Sequence, residues 1–198
     1  MILGHHLILA AYGFWLPNDP RGSCSDFVGK WELVLAAGKA TKVYTRRSLA
    51  HRPHDNRARR SAKDALAYPA VEWSGRQARE MTRGFNEVAD HWDFRIHACS
   101  MLPTHVHLVI GRIDRDIGLI MNQLKGRASN ALAAANMHPF QNVFTRDGIR
   151  QTCWAGRGWR VFLHFPDDMR RAIRYVEDNP PKEGKPAQHW SFVQPFIA

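Results

Sequence analysis

Cysteine is scarce: Cys24, Cys99 and Cys153 are the only three in 198 residues, widely separated and without a C-x-x-C pair. That excludes a disulfide framework and a cysteine zinc site, and it fits a reducing cytoplasm. Long apolar runs are also missing, since nothing approaches the ~18 consecutive apolar residues of a membrane span. The apolar opening, MILGHHLILAAYGFWLP, has no basic n-region and no small-residue cleavage pattern, so no export signal and no membrane partner are expected. Acidic side chains are outnumbered, 18 Asp plus Glu against 28 Lys plus Arg, giving a formal charge of +10 and a pI near 10.1. Such an excess suits a polyanion, nucleic acid first, and it also suits a solvated basic surface. What the chain does have is apolar mass: 44% hydrophobic residues with seven Trp and ten Phe, enough for one packed domain and too much for disorder.

Apolar periodicity orders the chain. Leu7 to Leu16, LILAAYGFWL, is short, aromatic and closed by the turn cluster PNDPRGS, as a first strand would be. From about 18 to 70 no period is sustained. This basic stretch, which includes RRSLAHRPHDNRARRSAK, reads as an inserted arm with short helical pieces. Behind a Ser74 cap, residues 74 to 92 place Ala78, Met81, Phe85, Val88 and Ala89 at helical spacing despite Gly84. DFRIHACSM then alternates as a half-buried strand, with Phe94, Ile96 and Ala98 on one side. Pro103 and Thr104 break the chain before HVHLVIGR, so the two strands form a hairpin. Residues 117 to 136 put Ile120, Leu124, Ala128, Ala131 and Ala135 on one helical face and Lys125 and Arg127 on a polar one. GWRVFLHF, residues 158 to 165, is a fourth strand. Pro166, Asp167 and Asp168 open a last helix, which is expected to stop at NPP. The order β-α-β-β-α-β plus a final helix predicts an α+β fold, a ferredoxin-like sandwich with an antiparallel sheet.

Two segments carry chemistry. In LPTHVHLVI, His105 and His107 are two apart in a strand, so they share a face while Val106, Leu108 and Ile110 take the other. Two neutral imidazoles so placed can share a metal ion; the same pattern also serves as one hydrogen-bonded histidine and one at the surface. In RYVEDNPP, Tyr175 and Asn179 are four apart and share a helix face. Taken alone, these could be a tyrosine at the core edge and a helix-terminating asparagine.

The combination resembles the single-tyrosine HUH transposases, and most closely their REP-associated tyrosine transposase branch. It consists of a Pro-x-His-hydrophobic-His strand, a long helix, and a Tyr followed four residues later by Asn-Pro. YGFWLPNDPRGS is similar to the opening of many such proteins. The resemblance implies that His105 and His107 bind a divalent metal completed by Asn179, and that Tyr175 is the nucleophile on the final helix. It further implies cleavage and rejoining of single-stranded or hairpin DNA through a covalent 5′-phosphotyrosine; the sequence leaves monomer and homodimer both open. The arm at 18–70 and the segment NPPKEGKPAQHW depart from the family pattern.

Two imidazoles and an amide oxygen leave open coordination positions, which favours Mg2+ or Mn2+ in function and admits Zn2+ or Ni2+ in vitro. Lys125, Arg127, Arg157, Arg160, Arg170, Arg171 and Arg174 flank these segments as candidate phosphate contacts, and Trp15, Trp154 and Trp159 offer faces for unpaired bases. Two other functions suit parts of the sequence. A ferredoxin-like sheet also carries non-catalytic single-stranded nucleic-acid binding, although no K-G-F-G-F pattern occurs. Eleven histidines, among them His5, His6, His51 and His54, raise a zinc hydrolase, which lacks both H-x-H-x-D-H and H-E-x-x-H here.

Overall fold

The computed structural model describes residues 1–45, 49, 52–156 and 158–197. Arg46, Arg47 and His51 of the basic run, and the candidate contact Arg157, lie outside them. The chain divides into two compact units, one formed by Met1–Ala11 with Glu72–Ala198 and the other by Tyr12–Val71.

In chain order the elements are β1 (Gly4–Ala10), α1 (Trp31–Ala37), α2 (Asn56–Asp64), α3 (Gly75–Trp92), β2 (Ile96–Met101), β3 (His105–Gly111), α4 (Ile117–Ala134), β4 (Trp159–Leu163) and α5 (Pro166–Lys182). The first unit is α+β: its four strands form one antiparallel sheet in the order β2-β3-β1-β4. That is the ferredoxin-like arrangement expected from the sequence.

β1 begins and ends earlier than its apolar run suggests. It takes in Gly4, His5 and His6 and closes at Ala10, where the chain passes to the second unit through Gly13 at φ +78. Gly4 is needed there: a Cβ would meet the Ile110 carbonyl oxygen at 2.4 Å and Met169 Sδ at 2.6 Å. Residues directly opposite across a ladder share a face. The register pairs Ile8 with both His107 and Trp159, and His6 with Val109 and Val161, so these residues form one face; Ser100, opposite His107, joins it. Leu7, Leu9, Val106, Leu108 and Ile110 form the other and are fully buried.

On that second face lies α4, whose Met121 reaches beside Gly158 and Leu9, with α3 packed against it. Gly84, which spoils an ideal helix pattern, lies where α3 crosses α4: a Cβ would sit 2.5 Å from the Arg127 backbone. Helix entry is fixed by a capping box between Ser74 and Gln77. α5 packs on the first face, where Met169, Ala172 and Val176 meet Ala98, Val109 and Leu163.

β2 departs from the half-buried strand expected, for all six residues are buried. A register shift between Ile96 and Ala98 sets Ile96 opposite Ile110 and Ala98 opposite Val109, so the two point to different faces. Its outer edge is covered by the C-terminal segment. Gln194 N–H donates to the Ile96 carbonyl at 2.8 Å, and the Gln188 amide both accepts from Met101 N–H and donates to the Met101 carbonyl, each at 2.8 Å. α5 likewise runs past its expected stop. Pro180 and Pro181 lie inside its last turn, where they leave the Val176 and Glu177 carbonyls without their usual helical donors, and the helix ends at Lys182 before Gly184 at φ +68.

The second unit, Tyr12–Val71, holds α1 and α2 around a buried polar knot. Asn18 Nδ2 donates to the carbonyls of Leu33 at 2.7 Å and Gly38 at 3.3 Å, tying down α1. Asp19 accepts from Arg21 Nε at 2.8 Å and Nη2 at 2.7 Å, while Arg59 Nε of α2 stands 3.6 Å away. Arg21 in turn stacks over the Trp15 ring at 3.6 Å. The PNDPRGS cluster is thus more than a turn. Among the described residues no helix is long and apolar enough to cross a membrane.

Candidate active site

The sheet face that carries α5 gathers four side chains at one place. The rings of His105 and His107 lie 4.9 Å apart between centroids, as neighbours on one strand face must. Tyr175, from the middle of α5, sets its ring edge-on at 5.7 Å from His107 and 5.7 Å from His6. His6 Nε2 and His107 Nδ1 are hydrogen-bonded at 3.0 Å, and His105 Nδ1 is 3.2 Å from Thr104 Oγ1. Tyr175 is 44% exposed, whereas His107 is 3% exposed, so the phenol stands at the rim of a buried imidazole cluster.

Burial keeps the imidazoles neutral. Desolvation pulls His6 and His105 down to about 4, and it pulls His107 to about 2 with repulsion from His105 and His6 added. Neutral rings are the form that binds metal. Their folded pKa values lie below the ordinary 6.5, so between those limits the unfolded chain binds more protons. Stability is then present above pH ~6.5 and is lost as pH falls towards 4. His6 alone should account for roughly 3 kcal/mol of that loss. Urea midpoints measured from pH 7 to pH 4 should fall steadily; a flat profile would contradict the burial.

Among the described residues, no group of three or more His, Cys, Asp or Glu side chains is placed to hold a metal. A metal held here would need a donor of another kind beside the two imidazoles of His105 and His107. Asn179 lies one helical turn beyond Tyr175, and its Nδ2 is buried without a hydrogen-bond partner. Turning the amide over exchanges Nδ2 for Oδ1 at that position, which supplies an oxygen donor. The donor set of His105, His107 and Asn179 fits a divalent ion with positions left open.

The other candidates are divided between this place and others. Arg160 pairs with Leu7 and so projects to the opposite face, near the start of α4 and beside Phe162. Arg127 lines a cleft with Glu87, His91 and Asn130 between α3 and α4. Lys125, expected on a polar face, is buried: its Nζ donates to the carbonyls of Ala155 at 2.9 Å and Gly156 at 3.3 Å, holding the loop before β4. Trp154 is buried as well, with Nε1 donating to the Lys125 carbonyl at 3.0 Å and its ring 4.6 Å from Trp73, so it offers no stacking face. Trp15 carries Arg21 on its ring, while Trp159, half-exposed, shares the face of His107. Arg170 and Arg171 pair with Asp167 and Asp168 at the start of α5, and Arg174 is exposed beside Tyr175.

Three residues at the site have no motif to announce them. His6 lies before the apolar run that marks β1. Ser100 stands opposite His107 with a buried, unpartnered Oγ. Lys182 reaches back along α5 to set Nζ 5.8 Å from the centre of the Tyr175 ring. The last was hidden by the expectation that α5 stops at the prolines, although seven residues is two helical turns from Tyr175.

No family model matches the chain, and no curated protein does. Solved structures do. One is a REP-associated tyrosine transposase bound to a REP hairpin, 16% identical, with a TM-score of 0.43 over 63% of this chain and 83% of that one. Another is a candidate transposase from Deinococcus radiodurans R1, 14% identical, with a TM-score of 0.43 over 90% of this chain and 91% of that one. Its solved structural neighbours carry the transposase name.

Proposed function

We propose that this protein cleaves and rejoins single-stranded DNA, with Tyr175 as the nucleophile and a divalent-metal centre formed by His105, His107 and Asn179. The observation that carries this reading is the half-exposed phenol of Tyr175 packed edge-on against His107. A phosphodiester repels nucleophiles by its charge, and a bound Mg2+ or Mn2+ supplies the polarisation of a phosphate oxygen that offsets it. The Tyr175 oxygen attacks phosphorus, losing its proton to solvent, and the bond to the 3′ oxygen breaks, that oxygen taking up a proton from solvent. A 5′-phosphotyrosine and a free 3′-hydroxyl result. Because the phosphoryl energy is kept in the tyrosyl ester, the reverse attack by a 3′-hydroxyl rejoins a strand. Lys182, Arg171 and Arg174 are the cations of α5 closest in sequence or space to the phenol and serve the flanking phosphates. Trp159 supplies a stacking face for an unpaired base. Arg127 and Arg160 would meet DNA only along the other side of the sheet.

The assay is incubation of the whole chain with folded, hairpin-bearing single-stranded oligonucleotides and Mn2+, read as a denaturation-resistant protein–DNA band. The double variant His105→Ala, His107→Ala should lower metal-dependent cleavage by roughly 100-fold or more while DNA binding persists. Salt-sensitive binding that yields no adduct at any metal concentration would make the sheet a non-catalytic nucleic-acid platform instead.

A further inference from the structure

The hydrogen bond between His6 and His107 joins two neutral rings, each with one proton to place, so it has two polarities. Either His6 Nε2–H donates to His107 Nδ1, which puts the His107 proton on Nε2, or His107 Nδ1–H donates to His6 Nε2, which leaves the His107 Nε2 lone pair bare. Only the second leaves His107 able to coordinate, because Nδ1 is already occupied at 3.0 Å. The pairing is set by the strands. Ile8 is the register partner of His107, so His6 is its diagonal neighbour across β1 and β3, within reach of a long side chain. Both rings are buried.

We infer that His6 is a positioning residue for His107, accepting its Nδ1–H and so holding the tautomer and ring orientation in which Nε2 faces the site. Ligating histidines commonly spend their other N–H on an oxygen acceptor that raises their basicity. Here an imidazole takes that role. The same ring abuts Tyr175 at 5.7 Å, so His6 braces both the proposed ligand and the proposed nucleophile without reacting itself.

The inference rests on the reading of His107 as a ligand, and the tautomer it requires can be observed in the absence of metal. Long-range 1H–15N correlation spectra of the 15N-histidine-labelled full chain, metal-free at pH 7.5, should show His107 protonated on Nδ1. Mn2+ affinity, followed by electron paramagnetic resonance, should fall about 10- to 100-fold in His6→Ala. In His6→Gln most of the affinity should return, because the amide oxygen accepts the same proton. An Nε2–H signal for His107 in the unaltered protein would overturn the inference, as would unchanged Mn2+ affinity in His6→Ala. If the unaltered protein takes up no Mn2+, the metal-centre reading fails. The spectra then decide alone: a His107 Nδ1–H that is lost in His6→Ala and regained in His6→Gln upholds the inference, and one indifferent to residue 6 ends it.

Discussion

Tyr175→Phe is expected to yield no denaturation-resistant protein–DNA adduct, a loss of roughly 1,000-fold or more, while the affinity for the same oligonucleotide changes little. The substitution removes one oxygen and leaves the ring, so the edge-on contacts with His6 and His107 survive. With 44% of the residue exposed, the lost hydroxyl leaves no buried polar partner stranded, and folding should be nearly unchanged. Chemistry and structure are therefore separable at this position. Quantifying adduct by denaturing gel and binding by fluorescence anisotropy on the same sample separates them; adduct persisting in the Phe variant would remove Tyr175 from the reaction.

The second large effect belongs to the Tyr12–Val71 unit. Asp19 is 3% exposed and meets the Arg21 guanidinium through two N–H donors, the Arg21 backbone N–H at 3.0 Å, and Arg59 at 3.6 Å. Cutting one partner out of a buried ion pair strands the others without a counter-charge, at about 3–5 kcal/mol. Asp19→Ala should therefore destabilise this unit by that amount, seen as faster amide exchange confined to residues 12–71. Asp19→Asn, which keeps the shape and one acceptor but loses the charge and the second acceptor, should fall between. Exchange rates unchanged in Asp19→Ala would mean that the carboxylate is not what holds the knot together.

How much of this was legible in the sequence depended on periodicity. His105 and His107 were placed by the two-residue repeat of a strand, and Tyr175 with Asn179 by the four-residue spacing of a helix; both survive in the structure because Val106, Leu108 and Ile110, and Met169, Ala172 and Val176, fix which way each element turns. Where expectations missed, a three-dimensional partner had overridden the local pattern. β1 was set too late because an apolar run marks burial, whereas pairing extends over Gly4, His5 and His6, whose strand character comes from their neighbours on β3 and β4. That displacement concealed His6. Lys125 looked solvent-facing because nothing in its helix foretells two loop carbonyls waiting thirty residues on. Arg160 was drawn to the site by closeness in sequence, and a single step of strand register sends it to the other side.

The strapped border of β2 has a consequence for assembly. Gln188 and Gln194 occupy the backbone groups that an added strand would need, so growth of the sheet from that side is closed. Trp159–Leu163 forms the opposite margin. With one margin covered, only the other is left for pairing with a further strand, so strand-to-strand growth through the native sheet would stop at two copies.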